Sequence, residues 1–464
     1  MKCFLDESRR NLMEPPENFD INKICRYSVE LRIRRKMSVK YGDVVEIDVG
    51  GAGADVQAGD VFARREAAAN LCVGDEPPLV TVYFQAYNHL EDQTKMALHS
   101  LLAYTRNVDH ELLLVDNGST DGTLDFFCSI DHPRKRIFHV RENRGALFGY
   151  LAAKGAAGNE FIRGKYFAAI PSDVVVTKDW LKNLVTCMES DPRIGMVVPS
   201  ANYTSYYQQV KLEFSTYGEM QKAAAAYNVS DPKKWEERLR LIPTASLIRS
   251  SLRKMYEADY GFFYNFADDD LSFTYRRLGY RLMFCRDTFV YHAPGTAMSE
   301  EAYQTDLREG RETFRRKYFG VDAWTDTRLD DELCRKCLDP STPREDNRIL
   351  GIDVRCGANL LHFKNCLRAY DLGRATLSAF VQDAKYWVDL KTICSGEVFC
   401  QPLRDLEATL EGRTYDYIVL GMPLADYEDP KALLDIMRDH LSIGGRMAGR
   451  MEKDGEVFSL ERYE

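Results

Sequence analysis

The sequence has no apolar run long enough to cross a bilayer, and its first residues, MKCFLDESRRNLMEPP, lack the apolar core of a signal peptide. No transmembrane segment is therefore expected, and the expected location is cytoplasmic, with peripheral attachment to the inner membrane face left open. An excess of positive charge is also missing. With 62 Lys and Arg against 71 Asp and Glu, the net charge of -9 argues against nucleic acid as a partner. The 12 cysteines are scattered through 464 residues and read as reduced thiols rather than a disulfide framework. Cys334-x-x-Cys337 is the only close pair, and Cys356 and Cys366 do not complete a zinc spacing. What is present is ample core material: 45% hydrophobic residues over a length that predicts two or three domains.

Residues 1–20 are polar and carry Pro15-Pro16, a loose lead-in. From Cys25 to Arg65 short alternating runs such as SVELRIRRK, VVEIDVG and DVFARRE are separated by Gly-rich turns, which predicts a small β-rich module over 1–78. VQAGDVFARRE resembles half of a lipoyl-type β-barrel, but no lysine is placed to carry that cofactor. Scaffolding, oligomerisation and ligand binding stay open for this module. After Pro77-Pro78, strand and helix patterns alternate. LVTVYFQAY reads as a strand, and Asn88 with Glu91 forms a candidate capping box for a helix carrying Leu98, Leu101 and Leu102. LLLV at 112–115 has the character of a buried parallel strand. IFHVRENRGALFGYLAAKGAAG reads as a strand ending at Asn143-Arg144-Gly145, then an Ala- and Gly-rich helix that can lie close to a sheet. KYFAAI is a fourth strand. This repetition predicts a mostly parallel α/β sheet with helices on its faces. The chain is then expected to be helical and charged to about Arg240, with Phe214–Leu241 an inserted, mostly helical element. Residues 79–325 make the main domain, 326–346 a charged linker and 347–464 a last domain.

Three acidic sites stand where chemistry could be done. Asp116-Asn117-Gly118-Ser119 follows the buried strand, and ligands of open α/β sheets bind at the carboxyl ends of strands. The same residues also suit a plain turn. Ser172-Asp173 follows the fourth strand and points to the same crevice, or serves as a cap. Asp268-Asp269-Asp270 opens an amphipathic helix with Phe273, Tyr275 and Leu278 at roughly helical spacing; acids there also suit the helix dipole. Tyr203, Tyr206 and Tyr207 offer aromatic faces for a ligand or are ordinary loop residues.

In order and spacing, FQAYN, VDNGSTDGT, ENRGA, PSDVVVTKDWL, ADDDLSFTYRRLGY and VYH resemble a family 2 glycosyltransferase over about Leu79 to Phe319. The resemblance implies a GT-A fold, a Rossmann-like nucleotide-sugar-binding domain. It places Tyr87, Asn88, Asp116, Gly118, Ser119, Asn143, Arg144, Gly145 and Ser172 in the nucleotide-sugar pocket. It implies Mg²⁺ or Mn²⁺ on Asp173 and His292, and Asp268 as catalytic base. Ala267 replaces the usual Glu before Asp268, which leaves Asp269 a rival for that role. Pro171 holds the first position of D-x-D and offers no ligand atom. A leaving diphosphate builds negative charge that a divalent cation stabilises, and the acceptor hydroxyl needs a carboxylate to take its proton. One such base implies inversion at the anomeric carbon of a hexosyl donor carried by UDP or dTDP. The expected acceptor is a glycan, a lipid-linked precursor or a protein side chain. Pro171 and Ala267 keep open a catalytically disabled scaffold or sugar-binding protein.

RILGIDVRCGANLLHFK, ATLSAFVQDAKYW and RTYDYIVLGMPLADYEDPKALLDIMRDHLSIGGRM resemble a class I methyltransferase core, a methyltransferase-like α/β domain. Arg355 and Asn359 stand where that family has glycine, with Gly357 kept, and no ribose-holding acid is evident near Phe380–Val381. The resemblance implies a degenerate domain used for packing, homodimerisation or acceptor recognition. A bifunctional enzyme that also methylates its glycan is the remaining alternative.

Overall fold

The computed structural model describes residues 44–47, 77–143, 145–157, 161–256, 262, 264–294, 299–338 and 344–463. The sequence expectations for 1–43 and 48–76, and for Arg144, lie outside the described residues. The chain forms two units. The first holds residues up to 231 together with 242–267 and 284–306; the second holds 232–241, 268–283 and 307–464.

The strands of the first unit are β1 (Val44–Ile47), β2 (Val80–Ala86), β3 (His110–Asp116), β4 (Lys135–Val140), β5 (Tyr166–Pro171), β6 (Val174–Val175) and β7 (Ile194–Ala201). After β8 (Trp235–Glu237), which belongs to the second unit, come β9 (Ser246–Arg249) and β10 (Arg281–His292), the latter from Phe284 onward. The sheet order is β1-β4-β3-β2-β5-β9-β7-β10-β6. Its first five strands run parallel, so the carboxyl ends of β2, β3, β4 and β5 share one edge. Val44–Ile47, expected in a separate module, lies along β4 as the outer strand of this sheet.

The helices are α1 (Lys95–Tyr104), α2 (Thr123–Ser129), α3 (Ala146–Ala157), α4 (Trp180–Glu189), α5 (Tyr217–Tyr227) and α6 (Ser250–Met255). Helix α3 lies against the sheet as its small residues predict: Tyr150, Ala153 and Ala157 pack on Tyr83, Leu113, Val115 and Phe138. A Cβ at Gly149 would come within 2.7 Å of the Gln85 side chain, so only glycine permits this approach.

Two local expectations are corrected. Asn88 does not cap α1: the helix is preceded by a π-helical turn at Leu90–Thr94 with no side-chain cap, because the Asn88 side chain is spent on Thr120 instead. Of Phe214–Leu241, α-helix covers only Tyr217–Tyr227, capped by a Thr216–Glu219 box, with one short 3-10 turn at Pro232–Lys234. Its face of Tyr217, Met220 and Ala224 is buried on Val175, Phe289 and Tyr291, which makes it a packed wall of the unit.

In the second unit α7 (Ala267–Arg277) contributes from Asp268 onward, and α8 (Glu300–Lys317) from Leu307. Phe273 and Tyr275 of α7 are fully buried, but Leu278 lies beyond the helix and is exposed, so it is not part of the buried face. The remaining helices are α9 (Asp331–Cys337), α10 (Ala358–Ala369), α11 (Trp387–Ile393), α12 (Leu406–Leu410) and α13 (Pro430–Asp439). The strands are β11 (Asp346–Ile352), β12 (Arg374–Val381), β13 (Val398–Cys400), β14 (Tyr415–Leu420), β15 (Leu441–Arg450) and β16 (Val457–Glu461), in the order β13-β12-β11-β14-β15-β16. All pairs are parallel except β15–β16. Helix α9, within the expected linker, buries Leu333, Cys334 and Cys337; burial pushes the Cys337 thiol up to about 12. Such a thiol stays protonated and unreactive.

Candidate functional site

The turns after β2, β3 and β4 interlock. Asn88 donates its backbone N–H to Ser119 Oγ at 2.8 Å and accepts at Oδ1 from Thr120 N–H at 2.9 Å. Asn117 donates its side-chain amide to Asn143 Oδ1 at 3.2 Å and to the Gly145 carbonyl at 3.0 Å. Gly118 has φ +83° and sits where a Cβ would come within 2.7 Å of the Asn143 nitrogen. Tyr87, directly after β2 and next to Asn88 in the chain, is 44% exposed. Tyr87, Asn88, Asp116, Gly118, Ser119, Asn143 and Gly145 are thus brought together at one sheet edge.

Asp116 itself is fully buried. One oxygen accepts from Ser119 N–H at 3.0 Å and the other meets His139 Nδ1 at 2.7 Å. It holds the turn and fixes the His139 ring, and His139 is the more accessible member of the pair. Sequence reasoning missed His139. The available signal was one imidazole interrupting the apolar strand IFHV; its pairing opposite Asp116 is visible only in the strand register. It also gave Asn117 no role, because its partners lie 26 and 28 residues away.

Asp173 and His292 also meet. His292 Nε2 is 3.4 Å from Asp173 Oδ2, while its Nδ1 faces the Tyr203 carbonyl at 2.7 Å. Burial alone would lower the His292 pKa, but the Asp173 carboxylate and the Tyr203 carbonyl outweigh it and hold it above the ordinary value. Asp173 Oδ1 is buried with no hydrogen-bond partner. An orphaned carboxylate oxygen beside an imidazole whose other nitrogen is already committed suits a divalent cation. Among the described residues no group of three His, Cys, Asp or Glu side chains gathers as a metal site, so the other ligands would be diphosphate and water. Pro171 ends β5 exposed and supplies nothing. Ser172 is half-buried beside Asp173.

The acids of α7 have unequal surroundings. Asp269 is buried, with Oδ1 2.9 Å from Arg240 Nη1 and Oδ2 accepting from Trp324 Nε1 at 2.9 Å. Asp270 is fully buried against the Tyr318 hydroxyl at 2.7 Å and Lys317 Nζ at 2.8 Å. Asp268 is partly exposed. Burial and the Asp269 carboxylate push its pKa up to about 7, against the pull of Arg240.

Residues 81–254 match the family model Glycosyl transferase family 2. The family 2 match runs from the second residue of β2 into α6, so it includes Asp116, Asn143 and Asp173 and stops before Asp268 and His292. The chain is 34% identical over 111 residues to succinoglycan biosynthesis protein ExoO of Rhizobium meliloti (strain 1021). That match covers 24% of this chain and 30% of the relative, so the chain spans under a third of the relative's length. Among solved structures, mannosyltransferase PcManGT from Pyrobaculum calidifontis in complex with GDP-Man and Mn²⁺ is similar at 19% identity. That likeness covers 56% of this chain and 72% of the other, with TM-score 0.37. GalNAc-T7 with UDP, GalNAc and Mn²⁺ is similar at 14% identity over 52% of this chain and 50% of the other, with TM-score 0.38.

Proposed function

We propose that this chain is a metal-assisted, inverting glycosyltransferase that moves a hexosyl group from a UDP- or dTDP-sugar to a hydroxyl of a glycan, lipid-linked or protein acceptor. The observation that carries this reading is the interlocked edge of β2, β3 and β4, which falls inside the family 2 match. Tyr87, the Asn88–Ser119 turn, Asn143 and Gly145 hold the nucleoside, with Asp116 and His139 setting their geometry. Asp173 and His292 would hold Mg²⁺ or Mn²⁺, a cation that would supply charge neutralisation to the departing diphosphate.

Asp268 takes the proton of the attacking hydroxyl. This assignment rests on its own chemistry: Asp269 has both oxygens committed to Arg240 and Trp324, and Asp270 is covered by Tyr318 and Lys317. A carboxylate near 7 is matched to neutral operation. The acceptor oxygen bonds to the anomeric carbon from the side opposite the diphosphate, the bond to the diphosphate breaks, and the configuration inverts.

The test is release of nucleoside diphosphate and transfer of labelled sugar with Mn²⁺ and after chelation. Turnover that requires the cation supports the reading. Pro171, which removes one ligand from the metal pair, favours a second reading as a sugar-binding scaffold. A scaffold releases no diphosphate under either condition.

The last domain is assigned a methyltransferase-like fold without its cofactor. S-adenosylmethionine does not fit there. Both Asp353 oxygens are bonded to Gln382, and a Cβ on Gly421 would come within 2.3 Å of Val354 Cα, so the chain itself closes the ends of β11 and β14.

A further inference from the structure

Between β7 and α5 the chain forms a closed loop that presents tyrosine rings to solvent. Ala201 N–H bonds the Gln208 carbonyl at 3.3 Å and Val210 N–H returns to the Ala201 carbonyl at 2.9 Å, which ties the loop at its neck. The buried Gln208 side chain clamps it to Ile242 through both its amide atoms, at 2.8 and 2.9 Å. Asn202 bonds the His292 backbone in both directions, at 3.1 and 2.8 Å. From this anchored base Tyr203 and Tyr207 stand 51% and 62% exposed. Tyr206 and Tyr207 both adopt left-handed backbone, φ 58° and 57°, a conformation that is unfavourable for bulky side chains and persists where the surroundings impose it.

The composition of this loop selects its ligand. ANYTSYYQQV, 201–210, holds no acid and no base in a chain that is 29% charged, and among its exposed side chains are a hydroxyl at Ser205 and an amide at Gln209. Phosphate or an acidic peptide would call for Lys or Arg. A lipid surface would call for basic residues with Leu, Phe or Trp. A pyranose ring calls for a rigid aromatic face under its C–H side and neutral hydrogen-bonding groups around its rim. The Tyr203 ring is centred 6.0 Å from the His292 ring, and His292 meets Asp173. The loop therefore adjoins the residues assigned to the donor's diphosphate.

We propose that Tyr203 and Tyr207 form the acceptor subsite for a neutral sugar ring, which makes the acceptor a saccharide; its place in catalysis rests on the function proposed above. The test uses the full chain and saturation-transfer NMR with cellotetraose, maltotetraose and chitotetraose as probes, alongside calorimetry with UDP or dTDP and Mn²⁺. At least one probe should receive saturation from the tyrosine rings. Tyr203→Ala and Tyr207→Ala should each weaken it about 3- to 10-fold, as expected for one lost ring contact. Tyr203→Phe and Tyr207→Phe should stay within about 2-fold of wild type, since the ring is kept. UDP affinity should be unchanged in both Tyr207 variants and in Tyr203→Phe. The inference is overturned if no probe receives saturation, if the alanine variants bind the probe like wild type, or if they lose binding to phosphatidylglycerol vesicles instead. Absence of binding of both UDP and dTDP by wild type, with the saccharide signal intact, would sink the transferase reading and leave a sugar-binding loop.

Discussion

Asp269 and Asp270 are fixed by Arg240, Trp324, Tyr318 and Lys317, so of the three consecutive acids Asp268 keeps a carboxylate that can exchange a proton. Asp268→Asn should lower transfer about 10²- to 10⁴-fold and leave UDP affinity unchanged, measured by steady-state kinetics and calorimetry. The wild-type rate should rise with pH and level off above about 7, where Asp268 is ionised. The stability effect has the opposite sense. The folded pKa lies above the usual carboxylate value, so between about 4 and 7 the folded state holds a proton that the unfolded chain has released, and stability falls as pH rises through that window. At pH 8 Asp268→Asn should therefore raise the unfolding free energy by about 1–3 kcal/mol, seen in denaturant titration. Asp269→Ala should lower it by about 3 kcal/mol, because Arg240 is then buried without its counter-charge. Equal behaviour of the two variants would remove the distinction between base and structural acid.

At the scale of the element, the edge proposed to hold the donor is three turns that bond to one another, and Gly118 lies where two of them come close. Gly118→Ala must force both a left-handed alanine and a contact with the Asn143 nitrogen, so UDP affinity should fall at least about 10-fold and stability by about 1–3 kcal/mol. Gly279→Ala is the control: its φ is +89°, but nothing lies within 4 Å, so only the backbone term of about 1 kcal/mol should appear. Loss of UDP affinity in both variants would show that the close approach at Gly118 does not matter. The strands and turns here were legible in the sequence because each is signalled locally, by the apolar run Leu112–Val115 or the small residues of α3. Asn88 was misread as a helix cap because its true partner, Thr120, lies 32 residues away, and His139 went unseen because only strand register sets it against Asp116. Leu278 kept the helical spacing of α7 but fell past its end, where periodicity no longer reports burial.

At the scale of the molecule, the second unit gathers residues far apart in sequence, a grouping that composition along the chain does not display. It includes α7 from Asp268 onward. Arg276 and Arg277, at the end of α7, both bond the carboxylate of Asp389 on α11, at 2.7 and 2.9 Å, and Asp389 is fully buried. On the function proposed above, this gives the last domain a structural role: it anchors the helix that holds the proposed base. Asp389→Ala leaves two guanidinium groups without their counter-charge and should cost about 3–5 kcal/mol of stability. Transfer should fall although Asp268 is untouched, while UDP binding in the first unit persists by calorimetry. S-adenosylmethionine should give no thermal shift with wild type, whereas a saturable shift would reopen the cleft between β11 and β14. If Asp389→Ala instead kept full activity at a temperature where it stays folded, α7 would need no anchor, and another role would have to be found for the last domain.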